Sequence, residues 1–524
     1  MDNISVENTV KKRRSTFQKL LFSRAIVILL IMLAQIAFLT VSFLKLGTYT
    51  PFIMSALTVL SVVAVIYILN KGDDPAFQIV WIILIVVVPV LGILFYTFVQ
   101  LNMGMRHFKK GLNIVMDETA KMVEKNEGVL DELKGESQNA VRMANYLYKF
   151  GGYATYKNTD VIYFPQGEDK YDRMIRELES AKSFIFMEYY IIEEGFMWNS
   201  ILEILELKVK QGVEVRVMYD GIGTLLTLPV NYYKKLTAKG IKSKEFNPIH
   251  PIMSTQQNNR DHRKILVIDG RVAFTGGINL ADEYINKKEV YGHWKDAAIM
   301  LRGEAVKNFT LMFLQLWNVN EKLIKNRAAY SEYVNTSTPI EANGYVTAYG
   351  DNPLDGESVG ETIYLNIIYG AKEYVHIMTP YLIITSEMLT ALKTAAKSGV
   401  DVKLLLPHIP DKWYAFVIAK SYYPELINAG VKIYEYTPGF IHSKVFVCDN
   451  RKAIVGTINL DYRSLYLHFE CAAFLYKTDC IKDIEKDFAN TIAISKRIRM
   501  EEYKANTLFD RIAGKVLRLL SPLM

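Results

Sequence analysis

Cysteine is scarce in this chain, with three residues in 524, at Cys448, Cys471 and Cys480. They form no Cys-x-x-Cys pair and show no spacing typical of a metal cluster. The sequence therefore argues against a disulfide framework and a structural zinc site, and it favours a reducing compartment. We expect these thiols to fill the core.

Charged residues are missing from three segments near the start of the chain, at about 25–44, 51–69 and 76–99. Each is close to the roughly 20 residues that span a bilayer as a helix. Buried core helices are the competing interpretation, but a globular core would not use three such runs in succession. Although a basic stretch precedes the first segment, no small-x-small cleavage site follows it, so we expect a retained anchor rather than a signal peptide.

The basic residues around these segments predict conflicting orientations. The stretch from Lys11 to Arg14 places the N-terminus in the cytoplasm, and Arg106, Lys109 and Lys110 place the rest of the chain there too. Three full crossings cannot satisfy both. Either one segment is re-entrant or interfacial, with Pro89 marking the third as a candidate for a bent or partial span, or one charge cluster misleads.

The formal net charge is +7, which fits an anionic partner such as lipid headgroups or nucleic acid, and equally fits ordinary solubilising charge. Near the end, Arg511, Lys515 and Arg518 alternate with apolar residues, which predicts a helix on a membrane surface or one packed on the domain. The predicted organisation is a basic N-terminus (1–24), membrane segments (25–100), a helical connector (101–154), two repeats (155–330 and 331–500) and a basic amphipathic end (501–524).

The two repeats are similar along their whole length. Each begins with an apolar run that predicts a buried strand, at 183–190 and 374–381. Each continues with a helix closed by glycine, at Gly212 and Gly399, and then an alternating strand. This alternation of strand and helix predicts an α/β fold.

Each repeat ends in a matching hairpin. His262 is followed at plus two, seven, fourteen and seventeen by Lys264, Asp269, Gly276 and Asn279. The second copy has the same residue types at the same offsets, namely His442, Lys444, Asp449, Gly456 and Asn459. One such pattern would be an incidental histidine on a half-buried strand, but five matching residues at the same spacing inside a wider repeat make that interpretation untenable.

The spacing of these residues predicts a shared reactive patch. Residues two apart on a strand point to one face, so each histidine should project beside its lysine. Asp269-Gly270 and Asp449-Asn450 are turn pairs that would return each asparagine to the same end. Two histidines facing each other suit phosphoryl transfer through a covalent histidine intermediate, with the lysines and asparagines stabilising the phosphate oxygens. No metal is needed for this chemistry.

Two acids follow the hairpins at similar places, Asp296 and Glu470. Each enters an apolar strand, where burial without a partner is costly, so we expect them to orient the histidine rings. A structural salt bridge is the competing interpretation. We expect the motif aspartates, Asp269 and Asp449, to act in the turn and scaffold rather than to carry protons.

The paired hairpins resemble the two His-x-Lys-x4-Asp motifs of the phospholipase D superfamily. Over nearly its whole length the chain is also similar to bacterial cardiolipin synthases. The similarity includes the stretches 258–264, 279–284, 379–381, 438–444, 459–464 and 518–522. The resemblance implies two phospholipase D-type α/β repeats related by a pseudo-twofold axis and preceded by N-terminal transmembrane helices.

The resemblance also implies a reaction. Two phosphatidylglycerols would give cardiolipin and glycerol in the membrane, with His262 taking the phosphatidyl group and His442 moving the proton. It implies no cofactor and no nucleic-acid partner; homo-oligomer formation stays open. The alternatives are a membrane phospholipase D that uses water or another alcohol, a superfamily nuclease, and a lipid-binding scaffold. The near symmetry of the motifs leaves the choice of nucleophile open.

Overall fold

The computed structural model describes residues 40, 49–72, 74–100, 103–248, 258–319, 330–334 and 338–523. Two compact units divide the chain: residues 1–107 with 249–257 and 519–524, and residues 108–248 with 258–518. The first predicted membrane segment, residues 25–44, lies outside the described residues apart from Thr40.

The first unit is built from apolar helices. They are α1 Thr50–Leu69, α2 Pro75–Val87 and α3 Pro89–Gln100, with α4 Met103–Ala120 leading into the second unit. Among the described residues, only Pro51–Leu69 is long and apolar enough to cross a bilayer, and Pro75–Val87 is a shorter apolar helix. A single such helix does not establish the several spans that we predicted.

The predicted bend at Pro89 is confirmed. Helix α2 ends at Val87 and α3 begins at Pro89, because proline removes a backbone hydrogen bond and its ring clashes with the preceding turn. Gly92 permits a close approach, since a Cβ there would lie 2.8 Å from the Cα of Ile85. The rings of Trp81 and Tyr96 lie 5.2 Å apart, whereas a straight helix would separate these residues by about 22 Å.

The second unit opens with helices and then contains two sheets. The connector helices are α5 Glu127–Glu136 and α6 Gln138–Tyr146. The strands of the first half are β1 Thr159–Phe164, β2 Phe184–Tyr189, β3 Glu214–Asp220, β4 Lys242–Phe246, β5 Arg260–Asp261, β6 Lys264–Ile268, β7 Val272–Gly276, β8 His293–Lys295 and β9 Ala298–Gly303. Its helices are α7 Gly167–Glu179, α8 Phe196–Lys210, α9 Tyr232–Ala238, α10 Val306–Asn318 and α11 Tyr330–Val334.

The second half contains a similar succession of strands and helices, with additional short strands and two further helices at its end. Its strands are β10 Tyr345–Asp351, β11 Tyr374–Met378, β12 Leu382–Ile383, β13 Asp401–Pro407, β14 Lys432–Tyr436, β15 Gly439–Ile441, β16 Val445–Cys448, β17 Lys452–Gly456, β18 Leu460–Asp461, β19 His468–Tyr476 and β20 Ser495–Ile498. Its helices are α12 Val359–Tyr369, α13 Ser386–Lys397, α14 Trp413–Asn428, α15 Tyr462–Tyr466, α16 Ile481–Ala493, α17 Met500–Lys504 and α18 Leu508–Leu520.

The two sheets have the same topology. The first has the order β1-β9-β7-β6-β2-β3-β4, and the second has the order β10-β19-β17-β16-β11-β13-β14, with β20 added at its edge. In both, the central strand (β2 or β11) pairs antiparallel with the hairpin and parallel with a later strand of its own half (β3 or β13). The predicted α/β repeat is therefore confirmed.

Local backbone chemistry sets the hairpins and the helix ends. Asp269 and Gly270 have φ of 54° and 62°, and Asp449 and Asn450 have φ of 52° and 51°. Positive φ at both central residues is the geometry of a tight two-residue hairpin turn, as we predicted. Gly212 and Gly399 likewise adopt φ of 86° and 95° after their helices, which glycine does at little cost.

Apolar side chains from strands and helices form the core of the first half, including Ile185, Met187, Trp198, Leu266 and Phe274. The three cysteines are free and buried, as expected. This core holds the central strands rigidly, so the polar residues at their ends keep a fixed geometry.

Candidate active site

Two short strand pairs join the halves and carry the histidines. Strand β5 pairs in parallel with β19 of the other half, and β15 pairs in parallel with β8. The backbone N–H of His262 then donates to the carbonyl of Phe469 at 2.9 Å, and that of His442 donates to the carbonyl of Lys295 at 2.7 Å. Each motif histidine is thus attached to the residue that precedes the acid of the opposite half.

The imidazole rings follow the same crossed pattern. Nδ1 of His262 lies 2.8 Å from Oε1 of Glu470, and Nδ1 of His442 lies 2.7 Å from Oδ2 of Asp296. Both carboxyl groups are fully buried. A bond at Nδ1 fixes the ring orientation and leaves Nε2 as the nitrogen that can react. The structure brings both predicted acids to the histidines and adds that each acid contacts the ring of the other half.

The two motif lysines are buried beside the histidines. Nζ of Lys264 donates to the carbonyl of His262 at 2.6 Å, and Nζ of Lys444 donates to the carbonyl of His442. His262 lies between β5 and β6, and His442 lies between β15 and β16, so neither histidine is on a regular strand. Each lysine contacts its histidine through the backbone carbonyl.

Burial disfavours charge throughout this site. Burial, followed by the charge of Lys264, lowers the pKa of His262 well below its ordinary value, and burial followed by Lys444 lowers the pKa of His442 to about 4. Burial also lowers the pKa of Lys264 to about 8 and that of Lys444 to about 7. An anion between these groups would favour their protonated forms, so the site is suited to a phosphate.

The motif asparagines lie at the edge of this cluster. Oδ1 of Asn279 accepts from the N–H of Ile191 at 3.1 Å, and its Nδ2 donates to the hydroxyl of Tyr284 at 2.7 Å. The Tyr284 ring lies 5.6 Å from the His442 ring. Asn459 is buried, and within the described residues its Oδ1 has no hydrogen-bond partner.

The motif aspartates stabilise the hairpin turns by accepting hydrogen bonds from backbone N–H groups. Asp269 accepts from the N–H groups of Lys182, Ser183 and Phe184 at 2.9, 2.7 and 2.9 Å. Asp449 accepts from those of Lys372, Glu373 and Tyr374, each at 2.9 Å. Although burial by itself raises the pKa of both carboxyl groups, these backbone donors hold it below the ordinary value. Neither aspartate makes a hydrogen bond to a motif histidine among the described contacts.

Sequence reasoning missed His468, which lies beside His262 with ring centroids 5.5 Å apart. Its counterpart in the first half is Trp294, which packs 5.4 Å from His442. His468 and Trp294 share one feature that could have identified them from sequence. Each lies two residues before the acid in the chain. Lys170, which the sequence analysis did not single out, is close enough for the charges of Asp296 and Lys264 to act on its pKa. It is buried on α7, and burial lowers its pKa to about 7.

A second difference between the halves concerns how each acid is held. Gly277 lies so close to Asp296 that any side chain there would collide with the carboxyl group. Its counterpart Thr457 instead donates its hydroxyl to Glu470. The two motifs differ in sequence at this position, with Gly277 in one and Thr457 in the other. This difference accompanies the difference between the acids, Asp296 and Glu470.

One cluster in this site has ligand types that a metal could use. Among the described residues, His262, His468 and Glu470 have ligand atoms within 4.8 Å of one another. Lys264 acts electrostatically on all three residues, and a nearby ammonium disfavours a bound cation. We therefore assign no metal to the cluster.

Comparison with known proteins agrees with this geometry. The family model described as the cardiolipin synthase, phospholipase D-like domain matches residues 174–317 and 364–492, and that described as the phospholipase D-nuclease N-terminal segment matches residues 59–99. The structure of phosphatidylserine synthase from Haemophilus influenzae superposes with a TM-score of 0.55 at 13% identity, covering 74% of this chain and 100% of that one. These matches define a protein of the phospholipase D-like class.

Relatives that match this chain over most of their own length identify the family within this class. A cardiolipin synthase from Geobacillus kaustophilus is 36% identical over 477 residues, covering 90% of this chain and 93% of that protein. One from Halalkalibacterium halodurans is 34% identical over 517 residues, covering 95% and 99%. An uncharacterized protein from Streptococcus mutans is 49% identical over 462 residues, covering 88% and 99%. The chain belongs to the cardiolipin synthase family.

The crossed carboxyl–imidazole pairs lead to a first prediction. Glu470→Gln and Asp296→Asn keep the size of each side chain but favour the wrong imidazole tautomer, so kcat should fall by about 10²- to 10⁴-fold with little change in KM. Steady-state kinetics on purified enzyme would measure this. Glu435→Gln is the matched control, because Glu435 holds His408 outside the site at 2.9 Å. Retention of more than a tenth of kcat in either site variant would contradict the proposed role.

The motif aspartates lead to a second prediction. Asp269→Asn or Asp449→Asn should lower the free energy of unfolding by about 1–3 kcal/mol and leave kcat of the folded enzyme nearly unchanged. Because the folded-state pKa is depressed, the contribution of each carboxylate is present above its unfolded pKa of about 3.9 and is lost as the pH falls below it.

Thermal unfolding of the detergent-solubilised protein between pH 7 and pH 3 would test this, since the variants should lose less stability on acidification. The exposed Asp172→Asn is the control. A normal melting temperature combined with abolished kcat would instead assign the motif aspartates to catalysis.

Proposed function

We propose that this protein is a cardiolipin synthase that transfers a phosphatidyl group from one phosphatidylglycerol to another. The observation that carries the proposal is the pair of histidines, one from each half, anchored through Nδ1 to Glu470 and Asp296 at 2.8 and 2.7 Å. Two buried lysines beside them can balance the charge of a phosphodiester. The substrate class, phosphatidylglycerol, is inferred from membership of the cardiolipin synthase family.

The reaction has two steps. Nε2 of His262 attacks the phosphorus of the first phosphatidylglycerol, the bond to the glycerol oxygen breaks, and His442 donates a proton to the departing glycerol. His442 then removes the proton from the terminal hydroxyl of a second phosphatidylglycerol, whose oxygen attacks the phosphorus and breaks the bond to His262. Cardiolipin leaves, and both imidazoles return to their starting state. The assignment of His262 as nucleophile and His442 as proton donor is taken from the resemblance to the phospholipase D superfamily.

Lys264 and Lys444 would stabilise the phosphate oxygens in both steps. An ammonium has three donors, and one in each lysine bonds a histidine carbonyl. Asn279 and Asn459 would help to bind the phosphate. Burial of both motif histidines, each 7% exposed, favours transfer to an alcohol over transfer to water, because a closed site limits hydrolysis.

The reaction predicts that purified enzyme given phosphatidylglycerol releases glycerol and forms cardiolipin in equal amounts. His262→Ala and His442→Ala should each lower kcat by about 10⁴-fold or more, whereas the exposed His107→Ala should not. Thin-layer separation of labelled lipids and a glycerol assay would measure both products. Phosphatidic acid as the sole product would identify a phospholipase D and overturn the proposal.

A labelled phosphatidyl group identifies the nucleophile in the same assay. An alkaline quench preserves a phosphohistidine, so peptide mapping is expected to find the label on His262. Label on His442 would reverse the two roles.

The proposal includes a multi-pass membrane topology with the catalytic unit in the cytoplasm. We propose two crossings, at about 25–44 and 51–69, and a bent pair of helices, α2 and α3, that enters and leaves the membrane on the same side. This topology would place both basic clusters in the cytoplasm. The packing of Trp81 on Tyr96 across the bend supports such a re-entrant pair.

Cysteine labelling would test this topology, since the natural cysteines are buried. Tyr49→Cys should react with an impermeant maleimide in intact cells, and Gly128→Cys should react only after permeabilisation. Labelling of Gly128→Cys in intact cells would place the catalytic unit outside and contradict the topology.

A further inference from the structure

An exposed apolar surface lies where α14 begins and α18 passes over it. It consists of Trp413, Tyr414, Phe509, Ile512 and Val516, which are 50%, 40%, 70%, 54% and 57% exposed. The rings of Trp413 and Phe509 stack with centroids 6.1 Å apart, so the two helices form one continuous patch. We call these five residues the aromatic patch. Large contiguous patches of exposed apolar residues mark interaction sites.

The opposite face of α18 is already occupied. Gly514 lies directly against the backbone of Val417, where any larger residue would collide. Nη1 of Arg518 lies 2.9 Å from Oε1 of Glu425, and its guanidinium lies 3.9 Å from the centre of the Tyr422 ring. The helix is therefore held on the domain by one face, and the aromatic patch is not needed to hold it. These contacts agree with the interpretation that the C-terminal helix packs on the domain, and they leave the membrane-surface interpretation open for its other face.

Positive charge lies next to the aromatic patch. Arg511 and Lys515 are on α18 itself, and Lys412 immediately precedes Trp413. Two acids lie nearby: Oδ2 of Asp510 accepts from the hydroxyl of Thr507 at 2.7 Å, and Oδ2 of Asp411 lies 4.0 Å from Nζ of Lys412. Arg511 and Lys515 have no such acidic partner among the described ion pairs. An apolar stripe with aromatic residues and flanking basic groups is typical of a helix that lies in the interface of an anionic bilayer.

The aromatic patch is close in the fold to the candidate active site. Oδ2 of Asp411 accepts from the hydroxyl of Tyr381 at 2.5 Å, and Nζ of Lys412 lies 5.3 Å from the centre of that ring. The N–H of Ile409 donates to the carbonyl of Gly439, the first residue of the strand that leads to His442. The segment that begins the aromatic patch is thus attached to the segment that delivers a catalytic histidine.

We propose that the aromatic patch, with Arg511 and Lys515, docks the catalytic unit on an anionic phospholipid bilayer and presents the active site to lipid headgroups. The proposal rests on the proposed function only in that the substrate is a bilayer lipid. A bilayer is the favoured occupant because the flanking charges complement anionic headgroups and because the same chain carries a membrane-spanning candidate helix.

The test compares two forms of one substrate, using the full-length protein. Trp413→Ser, Phe509→Ser and Ile512→Ser are combined in one variant, and Arg511→Gln with Lys515→Gln in another. Leu207→Ser with Phe150→Ser is the matched control, because these apolar residues are 55% and 50% exposed elsewhere. Release of glycerol is measured from long-chain phosphatidylglycerol in vesicles and from dihexanoyl-phosphatidylglycerol dispersed as monomers.

Both patch variants should lose about tenfold or more in kcat/KM on vesicles and keep their rate on the monomeric substrate. The loss in the charge variant should diminish as salt is raised. The control should match the wild type on both substrates. Equal losses on the two substrates, or no loss on vesicles, would overturn the proposal. If the enzyme proves to be a hydrolase, the ratio of the two rates still reports docking.

A direct readout uses brominated phospholipids, which quench tryptophan inserted among the acyl chains. The fluorescence of Trp413 is obtained as the difference between the wild type and Trp413→Phe in reconstituted vesicles. Quenching of this difference signal is the expected result. An unquenched Trp413 would overturn bilayer docking and assign the aromatic patch to a protein partner or to solvent.

Discussion

The crossed hydrogen bonds between His262 and Glu470 and between His442 and Asp296 are the constraint on which the site depends. A buried carboxyl group without a partner is costly, and here the motif histidine that each carboxyl contacts comes from the other half. Neither repeat can therefore complete its own histidine. This explains why two copies of one fold are needed for a single site, and why short strand pairs between the halves align the backbone at both histidines.

The two half-sites share a geometry but differ in chemistry. Trp294 and Phe440 surround the ring of His442, whereas the corresponding pair on the other side is His468 and Arg260. His442 thus has several aromatic rings around it, whereas His262 has one tyrosine ring, that of Tyr190 at 4.9 Å, together with His468. A reaction with a nucleophile and an acid needs two unlike environments, and the fold obtains them by changing the flanking residues while keeping the motifs.

Much of this arrangement follows from local sequence. The repeat, the central strands, the turns at Asp269 and Asp449, the glycine helix ends and the bend at Pro89 all depend on residues close together in the chain. The pairing of each acid with the histidine of the other half does not follow from local sequence, since His262 and Glu470 are 208 positions apart. Repeat symmetry predicted that these acids lie near the histidines, but only the packing of the halves decides which pairs form. His468 was missed for the same reason, because an isolated histidine on an apolar strand carries no local signal.

Burial has two opposite effects on this chemistry. It keeps water from the reactive nitrogen atoms, which favours transfer between alcohols, and it also lowers the pKa of both histidines and both motif lysines. A phosphate anion between these groups would favour their protonated forms. In the proposed reaction, the substrate would therefore offset part of the effect of burial on these groups. Such a closed site benefits from direct delivery of lipid, which gives a physical reason for an apolar, basic surface to lie beside the segment that carries His442.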